Sequence, residues 1–423
     1  MSDEVRVGRL KNRDVRFAAP PAKAHSLRAL VIASLAEGTS VIRRPLLAQD
    51  QLNVIECLRR LGIEVERDRG DLRVLGRGGG YAPTGEALDV GDSGVGMNFL
   101  CAAACLADIP VTVGGSARLN QRPIGEIVSG LRQLGCRIDW LGREGCPPVR
   151  VHGGGIPGGV AEMHGAVTSQ YFSSLVISAA SARSPVTVRC LDEMSERPYL
   201  DITLGMMAEF GVEAVNDGYR EMRVPAGAGY RPRRLTIEGD WSSASFFFLA
   251  AAVCGSRIAV TGLDPGSRQG DRRFLELLSR MGCRVAAGPE EVVVEGGELR
   301  AIEAGMGDLP DLVPPLAVAA AFAAGTSRFT DLARLRVKES DRLEALVAGL
   351  TAIGVEASAG ADALTVTGTR RAHGARIDPH NDHRIAMSFA AAGLVTGDQT
   401  VRNPGCVAKS FPDFWERFRI FTD

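Results

Sequence analysis

The sequence predicts an α/β protein of two domains, built from six copies of one unit with helices inside and sheets outside. Three observations carry this reading. Five segments of the form apolar-x-x-apolar-Gly, each leading into a short strand, a polar turn and a second strand, recur along the 423 residues. Their glycines, Gly62, Gly135, Gly211, Gly282 and Gly354, lie 71–76 residues apart. Between them run six Ala-rich stretches that are apolar on nearly every side, the mark of helices buried all round.

In chain order, a strand at 5–10 is available to complete the last unit. The inner helices begin near Ser26, Met97, Ser169, Ser242, Leu312 and Arg384. A Gly/Ser/Asp turn and a strand follow each, at 39–43, 110–113, 185–190, 257–261, 326–330 and 400–403. The outer helices end at the five glycines, which read as C′ residues because a left-handed backbone there is free of Cβ strain. The second strands fall at 72–75, 149–151, 222–224, 292–294 and 364–366. One unit is therefore buried helix, strand, outer helix, strand, strand, with the sixth cut short at 411–418. A solenoid would also repeat. Inner helices that look buried on every side favour two closed halves of three units each instead.

Composition narrows the function. Net charge is −1 and 45% of residues are hydrophobic, so a large core is available but no global field draws nucleic acid or an anionic membrane. Attraction for anions must be local. The nine cysteines are scattered without a CxxC pair or a Cys/His cluster, which argues against a disulfide framework or structural zinc. Cys101 and Cys105, one turn apart in an apolar run, read as packing residues. The N-terminal Met1-Ser2-Asp3-Glu4 shows no secretory leader, and no uncharged apolar run reaches the roughly 18 residues of a membrane span. The expectation is a cytoplasmic protein with reduced thiols.

Polar residues cluster just before the inner helices, where converging helix starts favour anions. The richest stretch is residues 335–342, Leu-Arg-Val-Lys-Glu-Ser-Asp-Arg. Read as continuous helix, it sets Lys338 and Arg342 at i and i+4 on one face, a cost that an anion lying across both would reverse. Glu339 between them can move protons. The alternative is a solvated helix start with Asp341 pairing Lys338. Lys23 and Arg28 flank the first inner helix, and a glycine-rich turn, 91–96, opens the second. Arg118 and Arg122 add two guanidinium groups; Thr168, Ser169 and Gln170 begin the third inner helix with two hydroxyls and an amide. Residues 195–199 follow, and Gly239-Asp240-Trp241-Ser242-Ser243 reads as a cap. Asp311 precedes the fifth inner helix, Asp382, His383 and Arg384 open the sixth, and Lys409 lies in the closing stretch 403–414. Cations at several helix starts oppose the macrodipole and so ask for a reason.

Taken together, these motifs resemble the enolpyruvyl transferase family over essentially the whole chain. The resemblance is densest at 335–342, at 381–390 (NDHRIAMSFA) and at 406–415 (CVAKSFPDFW), with support at 122–125, 169–171, 197–203 and 239–247. It implies a pseudo-sixfold, inside-out α/β barrel with three βαβαββ units per domain. The first domain would be discontinuous, 1–20 plus 240–423, and the second 21–239, with the active site in a cleft that closes on its ligands. The implied reaction moves the carboxyvinyl group of phosphoenolpyruvate (PEP) to the 5-hydroxyl of shikimate 3-phosphate and releases phosphate, a step toward aromatic amino acids. It needs no metal and no organic cofactor, and the partners are these two small molecules, with a monomer expected and no nucleic acid or membrane.

Matching family positions assign PEP to Lys23, Gly94, Arg118, Gln170, Arg342, Arg384 and Lys409. The acceptor's phosphate is assigned to Thr168, Ser169 and the Ser195 region, its carboxylate to Arg28, and further acceptor contacts to Tyr199 and Lys338. Asp311 and Glu339 are the implied proton carriers, with the division of labour between them open, and Lys338 or Lys23 would hold the leaving phosphate. His383 would support Arg384. The chain departs from the family pattern in its N-terminal half. P-G-S-K-S becomes Pro20-Pro21-Ala22-Lys23-Ala24, and G-N-x-G-T-x-x-R becomes Gly91-Asp92-Ser93-Gly94-Val95-Gly96-Met97-Asn98. The S-x-P-Y spacing grows by one between Ser195 and Tyr199, leaving Glu196 at the serine position. A relative on the same scaffold with another acceptor, or one performing an elimination on a phosphorylated cyclohexene acid, is the competing reading. A non-catalytic binding protein would leave Asp311 and Glu339 idle. The related transferase acting on UDP-N-acetylglucosamine would carry a cysteine in 116–123, and none is there.

Overall fold

The computed structural model describes residues 3–85 and 87–423; Met1 and Ser2 of the N-terminal stretch read above, and Glu86, lie outside them. The chain divides into two compact units, Pro21–Ile237 and the discontinuous Met1–Pro20 with Glu238–Asp423. Inner and outer helices alternate along it. The inserted unit holds α1 (Lys23–Leu35), α2 (Gln49–Arg60), α3 (Gly94–Ala104), α4 (Gly125–Gln133), α5 (Gln170–Ala179) and α6 (Arg197–Glu209). The discontinuous unit holds α7 (Trp241–Cys254), α8 (Phe274–Arg280), α9 (Val313–Ala321), α10 (Arg342–Ala352), α11 (His383–Thr396) and α12 (Phe414–Phe418).

Odd-numbered helices are the inner ones. Every residue of α9 is buried, as is every residue of α7 from Trp241 to Ala252. Helices α7, α9 and α11 pack on one another, and α3 packs on both α1 and α5. Cys101 and Cys105 are buried on α3, and all nine cysteines are free thiols. Burial pushes the Cys101 thiol up to about 12, which fits a packing role.

The even helices end as their glycines require. Gly62, Gly135, Gly211, Gly282 and Gly354 all have left-handed φ, between +80° and +109°. At the first, the Gly62 N–H donates to the Arg59 carbonyl at 2.9 Å and the Ile63 N–H to the Leu58 carbonyl at 3.0 Å. The same pair of bonds recurs at the other four ends. This double closure satisfies carbonyls that the helix leaves open and turns the chain into the next strand.

Each unit carries three sheets. In the inserted unit one sheet runs Arg234–Thr236, Glu37–Arg43, Asp71–Arg77, Glu64–Asp68, the first pair parallel and the rest antiparallel. The other two four-stranded sheets, centred on Val111–Gly114 and Val186–Cys190, repeat that pattern. The discontinuous unit has two more of the same kind and one of three strands, Arg376–Ile377, Gln399–Arg402 and Glu4–Val7. The N-terminal strand thus completes the sixth sheet, pairing Val5 with Val401. The parallel edge strand preceding each inner helix escaped the repeat reading. Most of these strands have two or three residues, as at Leu88–Asp89, too few to show alternation; Asp14–Ala18 does alternate between exposed and buried residues and escaped the reading all the same.

The insertion falls inside one strand–helix–strand turn. Asp14–Ala18 lies parallel to Arg257–Thr261, yet the helix that should follow it directly is α7, more than two hundred residues on. Exit and return lie together: the Ala19 N–H donates to Thr261, the Asp240 N–H to Pro20 and the Gly239 N–H to Gly262, at 2.8–3.0 Å. A Cβ on Gly239 would stand 2.3 Å from the Gly262 carbonyl oxygen, so only glycine fits. The shortened sixth unit is closed by aromatics. Phe17 stacks on Phe247 with centroids 3.7 Å apart, and Phe411, Phe414, Phe418 and Phe421 surround that pair. Truncating such a residue costs about 3–5 kcal/mol.

Candidate active site

In the discontinuous unit, residues 335–342 do not form one helix. A 3-10 turn, Ala333–Val337, ends at Lys338, which is extended, and α10 starts afresh at Arg342. The expected i, i+4 pairing of Lys338 with Arg342 is therefore corrected. The cause is Asp341, whose carboxylate accepts from the Leu343 and Glu344 N–H groups at 3.1 Å and so begins a new helix. Asp341 pairs with Arg336 at 2.9 Å. The break turns Arg342 inward, where it is 1% exposed.

Arg342 gives each of its three nitrogens to a different carboxylate. Nε meets Asp382, Nη1 meets Asp311 and Nη2 meets Glu339, at 2.8, 2.8 and 2.9 Å. Arg384, in the first turn of α11, holds the other oxygen of Asp311 at 2.7 Å and the Ser242 hydroxyl at 2.5 Å. Lys409, at the end of the 3-10 turn Pro404–Lys409, reaches Glu339 at 3.2 Å. Asp382 also caps α11 through the Arg384 N–H and accepts from Ser340. Two long arginines are thereby held without freedom, sharing one carboxylate at the start of α9.

The electrostatics follow. Burial alone would raise the Asp311 carboxyl, but Arg384, Arg342 and Lys338 hold it well below the usual range. Burial would lower Arg342, but Asp382, Glu339 and Asp311 hold it well above. Asp271 is the residue the sequence did not disclose. It lies 5% exposed in the 3-10 turn Gly270–Arg273, hydrogen-bonded to Ser242. Burial and Asp311 push its carboxyl up to about 7, against the pull of Arg384 and Ser242. In sequence it is one charge in an ordinary polar turn.

In the inserted unit, Lys23 is the first residue of α1, and its ammonium meets Asp50 at 2.6 Å. Asp50, 2% exposed in the first turn of α2, also went unnoticed in the sequence. Arg28 is 1% exposed and donates to Thr203, Ala24 and Tyr199 backbone or side-chain oxygens at 2.7–3.0 Å. Its guanidinium lies over the Phe99 and Tyr199 rings. Burial lowers it to about 10, with Tyr199 opposing.

Ser93 caps α3 through the Gly96 N–H, and Gly94 is the first helical residue. A Cβ on Gly94 would come within 2.8 Å of the Arg122 guanidinium. Arg122 thus lies against the glycine turn, whereas Arg118 is exposed on the neighbouring 3-10 turn. Asp92 accepts from the Ser116 hydroxyl. At the start of α5, Thr168 donates to the Glu196 carboxyl at 2.5 Å and Ser169 to the Glu196 carbonyl at 2.8 Å. Ser195 donates to the Gly165 carbonyl at 3.1 Å. Gln170 accepts from Asn98 at 3.2 Å.

Comparison with known proteins places the chain in a family. The sequence profile of EPSP synthase (3-phosphoshikimate 1-carboxyvinyltransferase) matches residues 12–418. A protein of that name from Methanoculleus marisnigri is 42% identical over 414 residues, 97% of this chain and 98% of the relative. One from Vibrio cholerae is 36% identical over 403 residues, 94% of this chain and 95% of the relative. A solved EPSP synthase from Acinetobacter baumannii superimposes with a TM-score of 0.82 at 28% identity, covering 99% of this chain and 98% of that one. Six helix–sheet repeats and similarity along nearly the full length converge on one conclusion: the chain belongs to the EPSP synthase family.

Proposed function

We propose that this protein transfers the carboxyvinyl group of PEP to the 5-hydroxyl of shikimate 3-phosphate, as a cytoplasmic monomer on the route to aromatic amino acids. The observation that supports this most is the arginine pair on Asp311. Arg342 and Arg384 present fixed, charge-assisted donors at helix starts, the geometry that suits the carboxylate and phosphate of PEP. Lys409 and Lys338 add charge from the same unit. Lys23, Arg118, Gln170 and the Gly94 turn are the contributions of the inserted unit, and Arg122, which lies against Gly94, is a further guanidinium beside that turn.

The acceptor is assigned to Arg28, Thr168, Ser169, Ser195, Tyr199 and Lys338. In the first step the hydroxyl oxygen bonds to C2 of PEP, the hydroxyl proton leaves, and a proton adds to the methylene carbon. In the second, phosphate departs from C2 and the new methyl group returns a proton, restoring the double bond. Asp311 and Glu339 carry these protons. Both carboxylates stand among cations, Asp311 against Arg342 and Arg384 and Glu339 against Arg342 and Lys409, where each can take part in the transfers. Lys338 or Lys23 steadies the leaving phosphate. This chemistry calls for no metal or organic cofactor.

The test is phosphate release from PEP with shikimate 3-phosphate, followed by mass analysis of the product. A mass gain of one carboxyvinyl group on the acceptor is expected. Consumption of the acceptor without PEP would overturn the proposal and favour the elimination reading.

A further inference from the structure

Behind the arginine pair lies a buried acid that the proposed proton transfers leave unused. Asp271 stands in the 3-10 turn Gly270–Arg273, 5% exposed. Gln269, just before that turn, ties it to the start of α7. Its side chain accepts from the Trp241 N–H at 3.0 Å and donates to the Gly239 carbonyl at 2.8 Å. Ser242, the second residue of α7, faces two ways: its hydroxyl oxygen accepts from Arg384 Nη1, and its proton goes to the Asp271 carboxyl. A serine hydroxyl rotates, but one that has given its single proton to Asp271 keeps only lone pairs for Arg384. The Arg384 guanidinium is thereby fixed from two sides, Nη1 by Ser242 and Nη2 by Asp311 at 2.7 Å.

The charges around Asp271 come from several elements. They are Asp311 on the turn before α9, Arg384 on α11 and Asp240, whose carboxylate caps α7 through the Ser243 N–H at 2.7 Å. On its own turn Arg272 and Arg273 are exposed; Arg272 donates to the Pro265 carbonyl and Arg273 lies near Glu276 of α8. Neighbouring buried carboxyls do not all ionise cheaply. Asp311, despite its burial, is held low by Arg384 and Arg342, whereas Asp271 is pushed up to about 7, by burial first and by Asp311 second. An anion bound at Arg384 adds negative charge close by and so favours the protonated form of Asp271 further. A protonated carboxyl still offers Ser242 an oxygen, so the aim of Arg384 survives the change.

We propose that Asp271 is a positioning residue for PEP: it aims Arg384 through the Ser242 hydroxyl, and it takes up a proton as the anion reaches that guanidinium. This deepens the proposed function and rests on its assignment of Arg384 to PEP.

The experiment measures PEP binding by calorimetry from pH 6 to 8, in two buffers of different ionisation enthalpy, beside phosphate release with shikimate 3-phosphate. The wild type is compared with Asp271→Asn, Asp271→Ala and Ser242→Ala. The asparagine keeps an oxygen for Ser242 but cannot titrate; the alanines break the relay. At pH 6 the alanine variants are expected to raise the Kd and KM for PEP by roughly tenfold, with kcat little changed. Asp271→Asn should match the wild type at pH 6 and bind PEP up to about tenfold more tightly at pH 8. The wild type should also take up more protons on binding than Asp271→Asn, a signature that a merely structural role would not move; protons exchanged by PEP itself are common to both. Should Asp271→Ala fail to fold, Asp271→Asn and Ser242→Ala, close in size to the residues they replace, carry the test. A wild type that turns over PEP while the folded variants match its Kd and proton uptake at every pH would overturn the Asp271 inference alone. PEP that binds with the expected pattern but releases no phosphate would instead reject the transfer reaction and leave the role of Asp271 standing.

Discussion

The two units treat their helix starts in opposite ways. In the discontinuous unit, the starts of α9, α10 and α11 gather around Arg342 and Arg384, and the carboxylates of Asp311, Glu339 and Asp382 hold those cations in place. In the inserted unit, the start of α5 is met by Glu196 and the glycine turn before α3 by Asp92, with Lys23 tied to Asp50. A cation at a helix start is unfavourable by itself, so the first arrangement persists only because each arginine is bonded to carboxylates on other elements. An anionic ligand can take over part of that role. The second arrangement already supplies the negative partner from the chain. The difference teaches that the discontinuous unit gathers its cations at one carboxylate-bound cluster, while the inserted unit holds its polar groups in separate pairs, Lys23 with Asp50, Ser116 with Asp92 and Thr168 with Glu196.

Asp311 is where that contrast breaks most completely. Asp311→Asn should lower kcat about 10²–10⁴-fold, the usual weight of a positioned proton carrier. Phosphate-release kinetics at saturating PEP would show it, and a decline confined to KM would deny Asp311 its proposed part. Arg384→Ala or Lys409→Ala should come next. Each removes a charge-assisted contact of roughly 1.5–3 kcal/mol, raising the KM for PEP about 10–150-fold with much less effect on the acceptor. Equal weakening of both ligands would dissolve the division between the units.

A third measurement concerns pH. Asp271 is held up to about 7 in the folded chain against an ordinary value of 3.8. Between those values the folded chain keeps a proton that the unfolded chain has lost, so this group's contribution to stability falls as pH rises. Asp271→Asn should remove that decline: its melting temperature should match the wild type near pH 4 and exceed it increasingly toward about pH 8. Asp311, depressed rather than raised, has the opposite sign, and its contribution is lost as pH falls below the ordinary carboxylate value. The smallest effect is expected at Asp92. Asp92→Asn keeps a bond to Ser116 and changes a contact of about 0.5–1.5 kcal/mol, so the KM for PEP should move by no more than about tenfold. A large improvement in PEP affinity would mean that Asp92 opposes the anion directly and would sharpen the contrast further.

The repeat was legible because it is written in local pattern. Ala-rich runs with no polar face specify buried helices wherever they fall, and a glycine after an apolar pair ends a helix regardless of its neighbours. The cluster of Lys, Arg and Asp at the helix starts was legible for the same reason: spacing along the chain is enough to show it. What spacing does not contain is the partner. Arg342 looked like the second half of a pair with Lys338, and only the folded chain, by starting α10 at Asp341, turned it toward Asp311 and Asp382 from other elements and toward Glu339 three residues before it. Arg118 and Arg122 are four residues apart and equally charged in sequence; tertiary packing alone put Arg122 against Gly94. Asp271 and Asp50 carry no local signal, since their burial comes from elements packed around them. The sequence by itself determined the units, their order and the residue types at each helix start, because those depend on contacts a few residues apart. The tertiary structure decided which charges meet and which hydroxyls are already engaged, because most of those contacts join residues tens to hundreds of positions apart, as Arg342 with Asp311 and Asp382 and Arg384 with Ser242, and exist only once the elements have packed.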